Sequence, residues 1–413
     1  MSAKGKYAKL IMVTAANNNK YYEMKEVNGQ IQVTYGRVES TAINKTYSMY
    51  EWDKLYNSKV KKGYKDMTEF VSTEPDIVVK NDIPKGDGLS VIACKVTKDF
   101  MTRMFRYTNN LVSKTYSVKA DKVSEAQVKA AQKMIDDLVT MDPTKKGAKE
   151  KINDKLLALY MVIPRYMSHT TNHLLPNIDF QKAMLQEQDN LDAMSAQVNM
   201  IKKEKVKAAK QAKKETKKST KKVEEKSLLD VLGVKMKEGK VTKEIKYLVD
   251  QVKGTRTKVA GILTVEKNAE DTIFDEWMKK QKDKSTRYLI HGTRCTSVIP
   301  IIEQGLKVRP AGNFQFSGKA YGNGNYFSEV VQKSLGYTGY DSDKVLLVYE
   351  VHTGNPYVYQ GWYRGNNFDL SYKELSKRGY DSTHVAAGNG LLNSEIIAYK
   401  EEQCRLKHII WLN

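Results

Sequence analysis

Residues 202–226, KKEKVKAAKQAKKETKKSTKKVEEK, separate two parts of the chain that differ in pattern. The segment holds 12 lysines and 4 glutamates, a net charge of +8, and no large apolar side chain. It cannot contribute to a hydrophobic core and is typical of a solvated or disordered insert. The 413 residues also exceed the length of one ordinary domain, so the chain is predicted to be multi-domain.

The overall charge limits the classes of partner. Lys and Arg number 69 against 48 Asp and Glu, a net charge of +21, which suits nucleic acid or an anionic membrane surface without choosing between them. The apolar run at 10–13 is too short for a signal peptide and no 18 apolar residues run together, so we expect an intracellular protein that does not span a membrane. Three distant cysteines support neither a disulfide framework nor a zinc module.

The part before the insert changes from strand to helix patterns. Residues 1–78 alternate short β-like runs such as QIQVTYGRV with turn signals such as VNGQ, which predicts a small twisted sheet followed by a helix at 47–63. Residues 79–93, with Pro84 and two glycines, are predicted to be a linker. Residues 94–201 are predicted to be a helical bundle, with one helix opening at Ser124 and another ending before Pro164.

The part after the insert, residues 227–413, has a β-rich pattern. The runs RYLIHG, KVLLVYEVH, EIIAYK and LKHIIWLN are separated by loops rich in Gly, Asn and Tyr. This pattern predicts a mixed α+β domain with antiparallel sheets. The stretch RYLIHGTRCTSVIPIIEQGL, residues 287–306, starts like a buried strand and ends like a helix, with His291 and Gly292 at the junction.

A glycine-rich loop, YGNGNYFSE at 321–329, is the next unusual feature. Gly322 and Gly324 allow close backbone approach ahead of Tyr326, and aromatic faces can enclose a flat ring. By itself the pattern is more typical of a turn that leads into a helix. A histidine after a strand and a glutamate at a strand entry are likewise usually structural residues.

The four motifs taken in order resemble one family. HGTR at 291–294, YGNGNYFSE at 321–329, KSLGY at 333–337 and LLNSEIIAY at 391–399 together resemble the catalytic domain of the poly(ADP-ribose) polymerases. Members of that family consume NAD as a substrate and need no metal. The resemblance implies a His, Tyr, Glu triad, which here falls on His291, Tyr326 and Glu395.

The resemblance also implies an NAD site. His291 would bind the adenosine ribose, Gly292 the nicotinamide carboxamide through its backbone, and Thr293 would lie beside them. Ser334 would hold the carboxamide oxygen, and Tyr337 and Tyr326 would enclose the nicotinamide ring.

Two charged residues complete the implied site. Lys333 would lie near the pyrophosphate or the acceptor, although an exposed lysine is the commoner interpretation. Glu395 would stabilise positive charge on the ribose and polarise an acceptor hydroxyl, which favours polymer over single transfer.

The regulatory part is implied by weaker resemblance. NNNKYYEMKEVNGQIQVTYGRVES resembles a WGR domain, with Tyr35, Gly36 and Arg37 at the signature and tyrosine replacing the usual tryptophan. The resemblance implies that Tyr35 and Arg37 contact DNA with strand breaks, whereas the alternative is that both only pack on the sheet. Residues 94–201 resemble the helical regulatory domain that covers the NAD cleft in this family, and DNA binding would favour its opening.

The expected partners and location follow from the family. They are broken DNA and acceptor proteins including the chain itself, in the nucleus, or in the cytoplasm if the source is prokaryotic or viral. The insert would add phosphate contacts, act as a nuclear address or serve as a tether. Single ADP-ribose transfer and an inactive DNA-binding scaffold remain alternatives, and the oligomeric state is left open.

Overall fold

The computed structural model describes residues 5–70, 88–215, 227–309, 320–359, 370–388 and 391–413. Within them the chain divides into two compact units. The first contains residues 5–70 and 110–201, and the second contains residues 88–109 and the described residues from 202 onward. Most of the predicted linker at 79–93 lies outside the described residues. None of the helices in the described ranges combines the length and apolarity that a bilayer crossing requires.

The first unit contains the small sheet that the sequence predicts. Its strands are β1 (Tyr7–Thr14), β2 (Asn18–Val27), β3 (Gln30–Arg37), β4 (Ile43–Ser48) and β5 (Lys65–Asp66). Helix α1 (Trp52–Lys61) lies between β4 and β5 in the chain. In the described residues they pair antiparallel in the order β4-β3-β2-β1-β5. Asn28 and Gly29 both have positive φ, 53° and 73°, in the two-residue loop between β2 and β3. This geometry is the hairpin turn that an Asn-Gly pair favours.

Helices follow, as the periodicity predicts. They are α2 (Lys95–Thr115), α3 (Glu125–Leu138), α4 (Ala148–Val162) and α5 (Phe180–Glu215). Ser124 caps α3 in a capping box with Gln127, which satisfies backbone N–H groups at the helix start. Helix α4 ends at Val162, two residues before Pro164, because a proline disfavours helical geometry in the residue before it.

Helix α5 runs further than the composition of the insert indicates. It continues through residue 201 to Glu215, so the first part of the Lys-rich segment is helical rather than disordered. Lys, Ala, Gln and Glu are good helix formers, and elongation of an existing helix avoids the cost of nucleation. Residues 216–226 of the insert lie outside the described residues.

The second unit contains the remaining elements. They are α6 (Leu228–Leu232), β6 (Lys235–Glu238), α7 (Lys243–Val252), β7 (Val259–Glu266), α8 (Asn268–Lys280), β8 (Thr286–Thr293), α9 (Cys295–Gln304), β9 (Asn325–Phe327), α10 (Val331–Leu335), β10 (Lys344–His352), β11 (Pro356–Tyr359), α11 (Tyr372–Lys377), β12 (Ser382–Val385), β13 (Glu395–Ala398) and β14 (Cys404–Leu412). Over the described ranges they form a sheet in the order β6-β7-β14-β10-β8 and a sheet in the order β11-β12-β13-β9.

The two sheets meet where β8 passes β9. The Ile290 N–H donates to the Ser328 carbonyl at 2.9 Å, and the Ser328 N–H donates back to Ile290 at 3.0 Å. Apolar side chains of β8, β10, β14 and α7 form one core beside this junction, including Ile290, Leu346 and Ile410. The motif at 291–294 and the loop before Tyr326 are thereby brought to the same place.

One pair of strands departs from the antiparallel prediction. Strand β11 pairs parallel with β12, from Pro356 opposite Ser382 to Tyr359 opposite Val385. A parallel pair needs a crossover rather than a tight turn, and helix α11 lies in the connection between the two strands. The prediction of antiparallel pairing is wrong for this pair and is confirmed for the other strand pairs in the described residues.

Candidate active site

His291 connects the two sheets at the junction of β8 and β9. Its Nδ1 lies 3.1 Å from the Tyr326 carbonyl oxygen. A carbonyl can only accept, so Nδ1 carries the hydrogen and Nε2 is left as the acceptor nitrogen of the ring. Burial lowers the pKa of His291 and the hydrogen bond to Tyr326 only partly opposes this effect. The imidazole is therefore neutral near pH 7, with a fixed tautomer.

Gly292 faces the helix that carries Ser334. A Cβ atom at position 292 would overlap the Ser334 carbonyl and approach the Ser334 Cα at 3.1 Å. No side chain fits there unless the backbone moves, so the glycine is required by the close approach. Ser334 is buried in α10, and Thr293 is buried opposite Val345 at the end of β8. The β8 backbone and α10 thus pack directly against each other at this point. We call the region that these two elements border together with Tyr326 and Glu395 the slot.

The glycine-rich loop is closed by hydrogen bonds between tyrosines and the backbone. The Tyr326 hydroxyl donates to the Gly322 carbonyl at 2.8 Å and accepts from the Tyr321 N–H at 2.9 Å. The Tyr399 hydroxyl donates to the Tyr321 carbonyl at 2.7 Å and accepts from Thr383 at 2.8 Å. Because the Tyr326 hydroxyl is occupied by its own loop, its ring is held as a wall of the site.

Glu395 is the first residue of β13 and is buried, with 6% of its surface exposed. Tyr326 pairs with Ile397, and residues two apart in a strand share a face, so Tyr326 and Glu395 lie on the same face of the sheet. Lys333 lies 2.8 Å from Glu395 Oε1 and donates to the Asn393 carbonyl at 3.0 Å. With 12% of its side chain exposed, Lys333 is largely buried, so the commoner interpretation of this position as an exposed lysine is wrong.

Burial and the nearby Glu395 carboxylate both raise the pKa of two tyrosines of the site. Partial burial raises the pKa of Tyr337, and the Glu395 carboxylate raises it further. Burial is also the largest cause of the raised pKa of Tyr326, to which Tyr399 and Glu395 add. Tyr337 follows α10 and is 47% exposed, which suits a ring that receives a ligand at the mouth of the slot.

The residues to which the resemblance assigns catalytic roles therefore lie close together, whereas several residues that hold them were not identified from the sequence. Tyr399 stands in the IIAY part of a recognised motif, so its position could have been noticed. Asn393 acts through a backbone carbonyl, which no side-chain pattern reveals. Among the described residues no group of three or more His, Cys, Asp and Glu side chains could hold a metal ion.

Tyr35 and Arg37 lie in the first unit, on strand β3. The Tyr35 ring packs 5.6 Å from the Tyr22 ring, and the Lys59 ammonium lies 5.6 Å from the Tyr35 ring centre. Arg37 donates to the Asn17 carbonyl at 2.6 Å and to the Ser168 carbonyl at 3.2 Å. Both residues make the packing contacts that the structural alternative requires, and both are only partly buried.

Comparison with known proteins relates the second unit to one enzyme family. The family model for the poly(ADP-ribose) polymerase catalytic domain matches residues 239–413, the range that contains every residue of the slot. A poly(ADP-ribose) polymerase-like protein, 100L, of Invertebrate iridescent virus 6 is 55% identical over 170 residues, which cover 41% of this chain and 93% of the viral protein.

Two further relatives match longer parts of the chain. An uncharacterised protein, 101L, of the same virus is 45% identical over 195 residues, 46% of this chain and 77% of that protein. Poly(ADP-ribose) polymerase 1 of Gallus gallus is 26% identical over 323 residues, which cover 70% of this chain and 30% of the chicken protein.

Proposed function

Because this chain belongs to the poly(ADP-ribose) polymerase family and is an NAD+ ADP-ribosyltransferase, we propose that it builds poly(ADP-ribose) on acceptor proteins, including itself, and that DNA strand breaks stimulate it. NAD is the consumed substrate. The single observation that carries the polymer proposal is the buried Glu395 carboxylate on the same sheet face as Tyr326.

The slot between β8 and α10 fits a nicotinamide group. An aromatic carboxamide is flat and can pair with a backbone N–H and C=O, and Gly292 carries no side chain that would cover its own backbone groups. The Gly292 backbone would pair with the carboxamide, the Ser334 hydroxyl would bind its oxygen, and the rings of Tyr326 and Tyr337 would enclose it. His291 would accept a hydrogen bond from a ribose hydroxyl through Nε2.

Glu395 would act on the ribose and on the acceptor. As the bond from the ribose to the nicotinamide nitrogen breaks, its electron pair leaves with nicotinamide and positive charge develops on the sugar. A carboxylate close to that sugar stabilises the charge. The same group would polarise the attacking hydroxyl of an acceptor ADP-ribose, which is what elongation requires. Lys333 would keep the carboxylate in place through its contact with Oε1.

The net charge of the chain and two residues of the first unit support stimulation by broken DNA. The net charge of +21 suits a polyanion. The partly buried Tyr35 and Arg37 of strand β3 are the proposed contacts, since a tyrosine face can pack on a sugar or base and an arginine can bridge to phosphate. This role would place the protein in the nucleus.

One assay tests both proposals. Purified protein is incubated with labelled NAD+, with and without a nicked duplex, and the products are separated by size. We expect a ladder that depends on DNA. A single discrete product would replace polymer synthesis with mono-transfer, and a ladder of equal intensity without DNA would overturn the stimulation by strand breaks.

A further inference from the structure

Helix α7 lies outside all four motifs, yet it contacts both sides of the slot. The Gln251 Nε2 donates to the Glu329 carbonyl at 2.8 Å, and the Gln251 Oε1 accepts from the Val331 N–H at 3.0 Å. One carboxamide therefore binds two backbone groups of the connection between β9 and α10. On the other side, the Tyr247 hydroxyl donates to the Tyr288 carbonyl of β8 at 2.5 Å.

The spacing of the two residues allows one helix face to make both contacts. Tyr247 and Gln251 are four residues apart, so their side chains project from the same side of α7. The helix itself is firmly placed, because Ile245, Leu248 and Val252 are buried in the core that also contains Ile290 and Val331. Tyr247 and Gln251 are thus held at a fixed distance from each other and from the core.

Helix α10 depends on outside support. It has five residues, too few for a helix that is stable by itself, and its N-cap residue, Val330, supplies no side-chain hydrogen bond. The Val331 N–H is one of the groups at a helix start that lack a partner within the helix, and Gln251 supplies that partner. Ser328 is fixed separately by its pairing with Ile290, and its hydroxyl accepts from the Val330 N–H at 3.0 Å. Arg287 also pairs with Glu329, so Gln251 adds the contact that reaches the first residue of α10.

A small displacement of helix α10 would change its contact with β8 and move the site residues that it carries. Gly292 approaches the Ser334 backbone so closely that a Cβ would overlap it, and α10 carries Lys333 and Ser334 with Tyr337 just beyond. We propose that Tyr247 and Gln251 are positioning residues that fix β8 and α10 relative to each other at the nicotinamide site, Tyr247 through β8 and Gln251 through α10. This inference rests on the placement of nicotinamide given in the proposed function.

The test uses benzamide, which carries the same aromatic carboxamide as nicotinamide, together with NAD+ kinetics. In Gln251→Ala we expect the Kd for benzamide and the KM for NAD+ each to rise about tenfold, since both hydrogen bonds to the connection are lost. Gln251→Glu keeps the acceptor for Val331 but cannot donate to Glu329, so it should give a smaller rise. We expect kcat to change less than KM in both variants.

Asp250→Asn is the matched control. It changes the neighbouring residue of the same helix, whose carboxylate contacts only the exposed Lys246 and Lys253 among the described partners, and it should leave the benzamide Kd unchanged. If folded Gln251→Ala binds benzamide like the wild type while only its melting temperature falls, Gln251 is structural and the proposal is overturned. If the wild type itself does not bind benzamide, the nicotinamide placement fails together with it.

Discussion

At the scale of single residues, the most constrained position is Gly292. Alanine adds one methyl group, and that group would overlap the carbonyl oxygen of Ser334. The backbone of β8 or α10 must move to relieve the overlap, and the slot between them changes shape. We expect Gly292→Ala to remove detectable benzamide binding and to lower kcat/KM for NAD+ at least about 100-fold.

Gly336→Ala provides the comparison for this prediction. Gly336 follows α10 at negative φ, and the nearest atom to its added methyl group, the Lys333 carbonyl oxygen, lies at 3.2 Å. Because this crowding is smaller, the benzamide affinity should decrease by at most a few-fold. Unchanged benzamide binding by Gly292→Ala would show that the carboxamide does not lie in the slot.

The residues of the slot were largely predictable, but their partners were not. His291, Gly292, Tyr326, Ser334 and Glu395 stand in ordered motifs, and the structure places them around one slot. The ion pair between Lys333 and Glu395 joins residues 62 positions apart, and a lysine next to a serine carries no sign of such burial. Contacts of this kind depend on the packing of two sheets, which local patterns do not encode.

At the scale of elements, the first half of α2 is held by a buried carboxylate. Asp343 is fully buried and accepts from Arg103 Nη1 at 3.2 Å, from the Tyr107 hydroxyl at 3.0 Å and from Trp411 Nε1 at 2.9 Å. The Arg103 guanidinium also lies 5.5 Å from the centre of the Trp411 ring. This network joins α2 to β14 and to the start of β10.

Removing Arg103 should therefore destabilise the second unit. Arg103→Ala leaves Asp343 buried with neutral donors only, and because the Arg103 side chain is 44% exposed we expect a loss of about 1–2 kcal/mol in the free energy of unfolding. The measurement is the urea concentration at the midpoint of unfolding. Arg106→Ala removes the same charge from an exposed position of the same helix and should change the midpoint little. Equal midpoints for the two variants would contradict the role given to Asp343.

Element types were predicted better than element ends and pairings. The Asn-Gly hairpin, the Ser124 cap and the stop before Pro164 each have a local physical cause that is written in adjacent residues. The continuation of α5 and the parallel pairing of β11 with β12 have no such local sign. The first depends on elongation from a helix that starts at Phe180, and the second on a crossover that includes α11.

At the scale of the whole molecule, histidines that are buried or partly buried predict how stability depends on pH. Burial is the largest cause of a pKa lowered from 6.5 at His173, His291, His384 and His408. These groups bind protons more readily in the unfolded state, so folding stability is fully present above about pH 6.5 and falls as the pH decreases through the lower folded values.

We therefore expect a constant melting temperature between pH 7 and 8 and a clear decrease by about pH 5 at fixed ionic strength, before most carboxylates titrate. Scanning fluorimetry across this range is the measurement. The decrease of the melting temperature between pH 7 and pH 5 should be smaller in His384→Gln, since one contributing group is removed. A melting temperature that stays constant from pH 7 to pH 5 would contradict the contribution of these four histidines.

The central claim is that the chain makes polymer through Glu395, and one comparison tests it directly. Wild type and Glu395→Gln are incubated with labelled NAD+ and nicked DNA, and the products are separated by length. Glutamine keeps the size of the side chain but removes the charge, so we predict a polymer ladder for the wild type and a loss of polymer of about 100-fold or more for the variant. Benzamide should still bind the variant, which shows that the slot is intact. An equal ladder from Glu395→Gln would contradict the account.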